Sequence, residues 1–76
     1  MSLDIFVKNV AEQFDETDPS LFNPDTAFKS IDEWSSLTAL SIIAMVDDEY
    51  EVQIKGDDIR SAETIEDLYK IVKGKE

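Results

Sequence analysis

The sequence predicts an all-α fold: a small antiparallel bundle of three main helices plus one short helix, with a long loop between the first two helices. Three observations lead there. Apolar residues recur at helical spacing in three separate stretches of the chain. Only VQI, around Ile54, is locally strand-like. The 76 residues contain no repeat and no obvious break, which makes a single domain over 1–76. Isolated helices of such length need tertiary packing to persist, and a bundle supplies it.

Leu3, Phe6, Val7, Val10 and Phe14 repeat at helical spacing behind Ser2, a candidate N-cap, so the first helix is expected from about Leu3 to Phe14. Its polar face carries Lys8, Glu12 and Gln13. From Asp15 to Ser35 the pattern is lost amid Pro19, Pro24 and the acids of DETD. Such a loop exceeds the roughly 12–15 residues usually tolerated without structure, so Leu21, Phe22, Phe28, Ile31 and Trp34 are expected to pin it to the core. The second helix starts near Ser36 and runs to about Tyr50, EVQIKG turns the chain, and Gly56 with Asp57 begins a short helical turn through Ile59. In the last helix Thr64 precedes Ile65, Leu68, Tyr69 and Val72. Asp67 completes a capping box, and the lysines of KGKE sit at the negative end of the helix.

Composition excludes several functions. A domain this small buries only about 60% of its unfolded surface, which leaves no room for a large catalytic cleft. The apolar fraction, 42% with four Phe, two Tyr and one Trp, is too high for a disordered acidic tail. Eighteen acids against seven bases give a formal charge of −11. That field repels nucleic acid and anionic lipid and attracts basic protein surfaces. Without cysteine or histidine the chain can build neither a Ser-His-Asp site nor a His- or Cys-based metal site, and no metal is expected. MSLDIFVKNVAEQF lacks the basic start and unbroken apolar stretch of a signal peptide, and no run approaches a membrane span. A cytoplasmic monomer without membrane insertion is expected.

The second helix raises a question, because it has two apolar faces. Ala39, Ile42, Ile43, Val46 and Tyr50 make one broad stripe, the side that a bundle would bury. Leu37, Leu40 and Ala44 lie on another face beside Ser41, Asp47 and Asp48. Either Leu37 and Leu40 pack under the long loop, or they are exposed anchors in a docking face with an acidic rim, suited to transient partners that are greasy at the centre and basic at the edge. Two serines, Ser35 and Ser36, open this helix. One reading makes one of them merely the N-cap. The other uses the open N–H groups and positive dipole of the helix start to hold a phosphate ester on a serine hydroxyl.

At these residues the chain resembles the acyl carrier proteins, whose signature is Asp-Ser-Leu at the start of the second helix with 4′-phosphopantetheine on the serine. Here the motif reads Ser35-Ser36-Leu37. The likeness covers nearly the whole chain: an amphipathic first helix, a long loop containing DTAF, then SSLTALSIIAMVDDEYEVQI, a short third helix, and TIEDLYKIV. It implies that Ser36 carries 4′-phosphopantetheine, delivered from coenzyme A. It also implies that Leu37 meets partner enzymes and that Asp47, Asp48 and Glu49 form the acidic run of the recognition helix. Phe28, Ile54 and Ile59 resemble the apolar positions that shelter an acyl chain, and Ile42 and Val46 are expected beside them. The docking surface is expected to comprise Ser35, Leu37, Leu40, Ser41, Ala44, Asp47 and Asp48. Ser35 replaces the motif's aspartate, and Thr38 and Ser41 are neutral where carriers of primary fatty-acid synthesis usually place acids. Trp34 and the phrase EWSSL are similar to specialised stand-alone or peptidyl carriers.

The implied function is that of an acyl carrier. It would hold an intermediate as a thioester on the arm's thiol and present it to enzymes of fatty-acid, polyketide or other specialised biosynthesis. Implied partners are a phosphopantetheinyl transferase, an acyl- or aminoacyl-loading ligase, and synthases and acyltransferases with basic surfaces. A peptidyl or aminoacyl carrier is the neighbouring alternative. An acidic helical interaction module without a prosthetic group is a second one, which failure to accept phosphopantetheine would favour. A calcium-binding helix pair is a third reading of DETD, VDDE and GDD, but none of these has the spacing or the glycine of a calcium loop. An enzyme is not expected. The paired acids Asp47–Asp48 and Asp57–Asp58 are adjacent in sequence, and surface acids so placed rarely gain the shifted pKa that acid–base catalysis needs.

Overall fold

In the computed structural model, which describes residues 2–76, the chain forms α1 (Leu3–Ala11), α2 (Ser36–Tyr50), α3 (Gly56–Ser61) and α4 (Ile65–Lys75), with no strand among the described residues. Helix α1 packs on both α2 and α4, and α3 packs on α4. Phe6, Val10, Phe28, Ile42, Val46, Ile65, Leu68 and Val72 are fully buried between these elements. Phe6 sits at the centre, its ring 5.7 Å from that of Tyr50 and 5.5 Å from that of Tyr69. The Tyr50 hydroxyl accepts a 2.9 Å hydrogen bond from the Asn9 amide, which anchors the last turn of α2 to α1.

Three of the four helices, α1, α2 and α4, begin where the sequence places a capping side chain. Ser2 Oγ accepts from the Ile5 N–H at 3.5 Å, and Ser35 Oγ accepts from the Thr38 N–H at 3.4 Å. At α4 the capping box is reciprocal: the Asp67 N–H donates to Thr64 Oγ1 and the Thr64 N–H to Asp67 Oδ2, both at 3.1 Å. The Ile65 and Glu66 N–H groups donate outward, to the Thr26 and Pro24 carbonyls at 3.2 and 2.9 Å. The start of α4 thus satisfies its donors and ties down the long loop with the same bonds.

Asp67 gives this cap a pH signature. Backbone N–H groups of Thr64 and Glu63 hold its carboxyl below the ordinary value of 3.8. A depressed folded pKa contributes stability above the unfolded value and loses it as pH falls through the folded one. Asp67→Asn is therefore expected to melt below the wild type at neutral pH, with the gap closing as pH drops below about 4. A gap that stays constant down to strong acid, in paired thermal melts, would show that the charge on Asp67 is irrelevant to the cap.

The loop is structured, which resolves the conflict with its length. It contains two 3₁₀ turns, Pro19–Leu21 and Phe28–Ser30. The first is capped by Asp18, whose carboxylate accepts from the Ser20 N–H at 2.9 Å. Phe22 and Phe28 are buried, while Ile31 and Trp34 are half-buried against the core. Ring contacts at 5.1–6.3 Å link Phe22 to Phe14, Phe14 to Trp34 and Trp34 to Phe28. Leu21 departs from expectation, at 64% exposed. Leu21 is the last residue of the turn, and Phe22, extended just beyond it (φ −97°, ψ 131°), takes the core position with its larger ring.

Two boundaries shift. Helix α1 ends at Ala11 rather than Phe14, yet Phe14 still reaches the core. The Gln13 and Phe14 N–H groups bond back to the Val10 and Ala11 carbonyls at 3.0 Å, so the chain tightens instead of unwinding. Helix α3 continues to Ser61 rather than stopping at Ile59, because the Ala62 N–H closes on the Asp58 carbonyl and buries Ala62.

The inward face of α2 also differs from the expected stripe. Ile42 and Val46 are buried, but Ala39, Ile43 and Tyr50 are only half-buried, and Thr38 and Met45 fill the remaining inward positions. The four buried residues are spaced i, i+4, i+7 and i+8, as one helix face requires. Thr38 can lie inside at 6% exposure because its hydroxyl has a partner there, the Glu33 carbonyl at 3.3 Å.

Candidate functional site

The start of α2 divides the work between its two serines. Ser35 is extended (φ −156°, ψ 175°) and its hydroxyl is engaged with the Thr38 N–H at 3.4 Å and with Thr38 Oγ1 at 3.3 Å. Ser36 is the first helical residue and is exposed, and among the described residues its hydroxyl has no hydrogen-bond partner. The Thr38 and Ala39 N–H groups are taken by Ser35, which leaves those of Ser36 and Leu37 as open donors. No acidic residue lies in the first turn of the fifteen-residue helix. A phosphate ester on Ser36 Oγ would meet two free N–H groups and the positive end of the dipole, so the residues present fit such a group.

A clasp that sequence reasoning missed holds this helix start. Glu33 Oε1 accepts from the Glu16 N–H at 3.0 Å and from Thr17 Oγ1 at 2.8 Å. The Glu33 carbonyl in turn accepts from Thr38 Oγ1. The beginning of the long loop, its end and the first turn of α2 are thereby joined through one residue. The Ser-x-x-Thr spacing of Ser35 and Thr38 could have signalled the cap, but the bonds across 16 and 17 residues leave no trace in the sequence.

On the outer face of α2, Leu37 is 75% and Leu40 61% exposed. Ser35, Ser41, Ala44, Asp47 and Asp48 are exposed with them, as is Glu49. The alternative in which Leu37 and Leu40 pack under the long loop is overturned. The loop's aromatic residues close on Phe14 and Phe28 instead and leave this face uncovered.

Phe28, Ile42 and Val46 are completely buried, and Ile54 and Ile59 nearly so. All five belong to one core cluster. Ile54 also lines a crevice of about 290 Å³ beside α2, together with Leu40, Ile43, Ala44, Asp47 and the 53–55 turn. Leu40 and Ile43 follow Ser36 by four and seven residues, about 6 and 10 Å along the axis, so the apolar wall opens on the helix that begins at Ser36.

Among the described residues no group of three or more acidic side chains could hold a metal ion, and no helix is long and apolar enough to cross a membrane. The family described as a phosphopantetheine attachment site matches residues 6–72. No curated protein and no solved structure matches the chain.

Proposed function

The chain belongs to the phosphopantetheine-attachment family and carries 4′-phosphopantetheine covalently; from that premise we propose that it is a cytoplasmic, monomeric acyl carrier with Ser36 as the attachment residue. The observation that carries this reading is the division between the serines: the Ser35 hydroxyl is occupied as a cap, while that of Ser36 is free, exposed and beside two open N–H groups. When bound, the group supplies the terminal thiol that a cysteine-free chain lacks, and the cargo is held there.

The protein's own residues position and present. Leu37 and Leu40 offer exposed apolar anchors, Ser41 and Ala44 keep the helix face low between them, and Asp47 and Asp48 draw in basic surfaces. The partners this face fits are a phosphopantetheinyl transferase, a loading ligase, and the synthases and acyltransferases of a fatty-acid, polyketide or other specialised pathway. The chain needs no catalytic residue of its own for this role.

An acyl rather than an aminoacyl cargo is supported by the apolar crevice of Leu40, Ile43, Ala44 and Ile54. The test uses the transferase to attach arms that bear either a medium-chain saturated acyl group or an alanyl group, followed by comparison of backbone amide spectra. The acyl arm is expected to shift the amides of Leu40, Ile43, Gln53 and Ile54, and the alanyl arm to leave them in place. Equal responses, or none from either arm, would remove the support for an acyl cargo.

A further inference from the structure

The long loop presents an apolar surface that the proposed carrier role does not use. Leu21 and Ile31 form the apolar part of a crevice of about 480 Å³, edged by Glu16, Asp18, Asp32 and Glu33. No lysine or arginine lines it. Leu21 stands 64% exposed at the end of its 3₁₀ turn. The crevice is built in advance, because its two walls are joined by the Glu33 carboxylate through the Glu16 N–H and Thr17 Oγ1. One wall is further fixed by the Asp18–Ser20 turn, the other by the 2.9 Å bond from the Trp34 N–H to the Ile31 carbonyl. A surface already ordered spares an arriving partner the entropy of ordering it.

The crevice is also continuous with the helix start. Glu33 lines a second, smaller depression with Ser35, Leu37, Thr38 and Ser41. An apolar and acidic surface therefore runs from Leu21, over Glu33, to Ser35 and Leu37. Its charge restricts the occupant. A second copy of this chain would bring another −11, and polyanions and anionic membranes are repelled in the same way. The carboxylates do not group closely enough to hold a metal ion among the described residues.

We propose that the loop crevice is a docking surface for a basic segment of a partner protein carrying an apolar side chain. The apolar side chain enters between Leu21 and Ile31, and lysine or arginine side chains lie against Glu16, Asp18 and Asp32. Anchor and charge then act as they do in other transient interfaces: the anchor sets affinity, and the charge sets encounter rate and salt dependence.

The test titrates the isotopically labelled full chain with a blocked Lys-Leu-Lys-Leu-Lys peptide, and with the same peptide carrying serine for leucine. Saturable shifts are expected at the amides of Thr17, Leu21, Ile31 and Asp32 with the leucine peptide only. Leu21→Ser, an exposed position where the spectrum itself reports an intact fold, is expected to raise Kd about tenfold. Shifts centred on Leu37, Leu40 and Asp47 with a silent loop would overturn the proposal. So would equal binding of the serine peptide, or a Leu21→Ser variant that binds as the wild type does. None of these outcomes bears on the prosthetic group or on Ser36.

Discussion

Ile42→Ala is expected to remove about 2–5 kcal/mol of folding free energy, while Leu37→Ala, five residues earlier on the same helix, stays within about 0.5 kcal/mol of the wild type. Ile42 is fully buried in the core cluster and Leu37 is 75% exposed. A domain of this size has only about 5–15 kcal/mol in total, so the first variant is left close to unfolding. Ile43, half-buried at the edge of the crevice, falls between the two. Leu37→Ala should nevertheless slow attachment of the prosthetic group, because it removes an anchor without touching the fold. Denaturant melts paired with transferase rates separate these effects. Should Leu37→Ala unfold together with Ile42→Ala, the outer face of α2 is core and the docking surface drawn on it is lost.

Ser36→Ala is expected to abolish attachment of phosphopantetheine outright and to melt near the wild type, since Ser36 is exposed and its hydroxyl caps nothing. Ser35→Ala should show the opposite division. Attachment persists, and stability falls by about 0.5–2 kcal/mol as the Thr38 N–H loses its acceptor. Intact mass gives the first half of this comparison and thermal melts the second. Attachment that survives in Ser36→Ala, or disappears in Ser35→Ala while the fold is intact, would reverse the roles of the two residues.

Much of the fold was legible because local chemistry and tertiary packing agree. Ser2, Ser35 and Thr64 cap helices because their short oxygen-bearing side chains compete for the first free N–H groups, and the last helix follows its apolar spacing to the residue. Agreement failed where a position depends on what lies across from it. Thr38 reads as a surface residue and is buried, because the Glu33 carbonyl is there to receive its hydroxyl. Leu21 reads as a pin and is exposed, because Phe22 fills the space. Helix α2 ends without a glycine. Glu51 itself takes the left-handed conformation (φ 56°), with Val52 and Ile54 buried just beyond it, so packing of the next segment sets the stop. The site was legible as a pair of serines before two leucines. Which serine is free became visible only in the hydrogen bonds, and the Glu33 clasp that holds them joins residues too distant in sequence for any spacing rule.

The most direct test of the account is the mass of the wild-type protein after incubation with coenzyme A and a broad-specificity phosphopantetheinyl transferase, followed by fragmentation to locate the addition. The account predicts the mass of one phosphopantetheine, placed on Ser36. An unchanged mass with several such transferases, or a group located on Ser35, would contradict it.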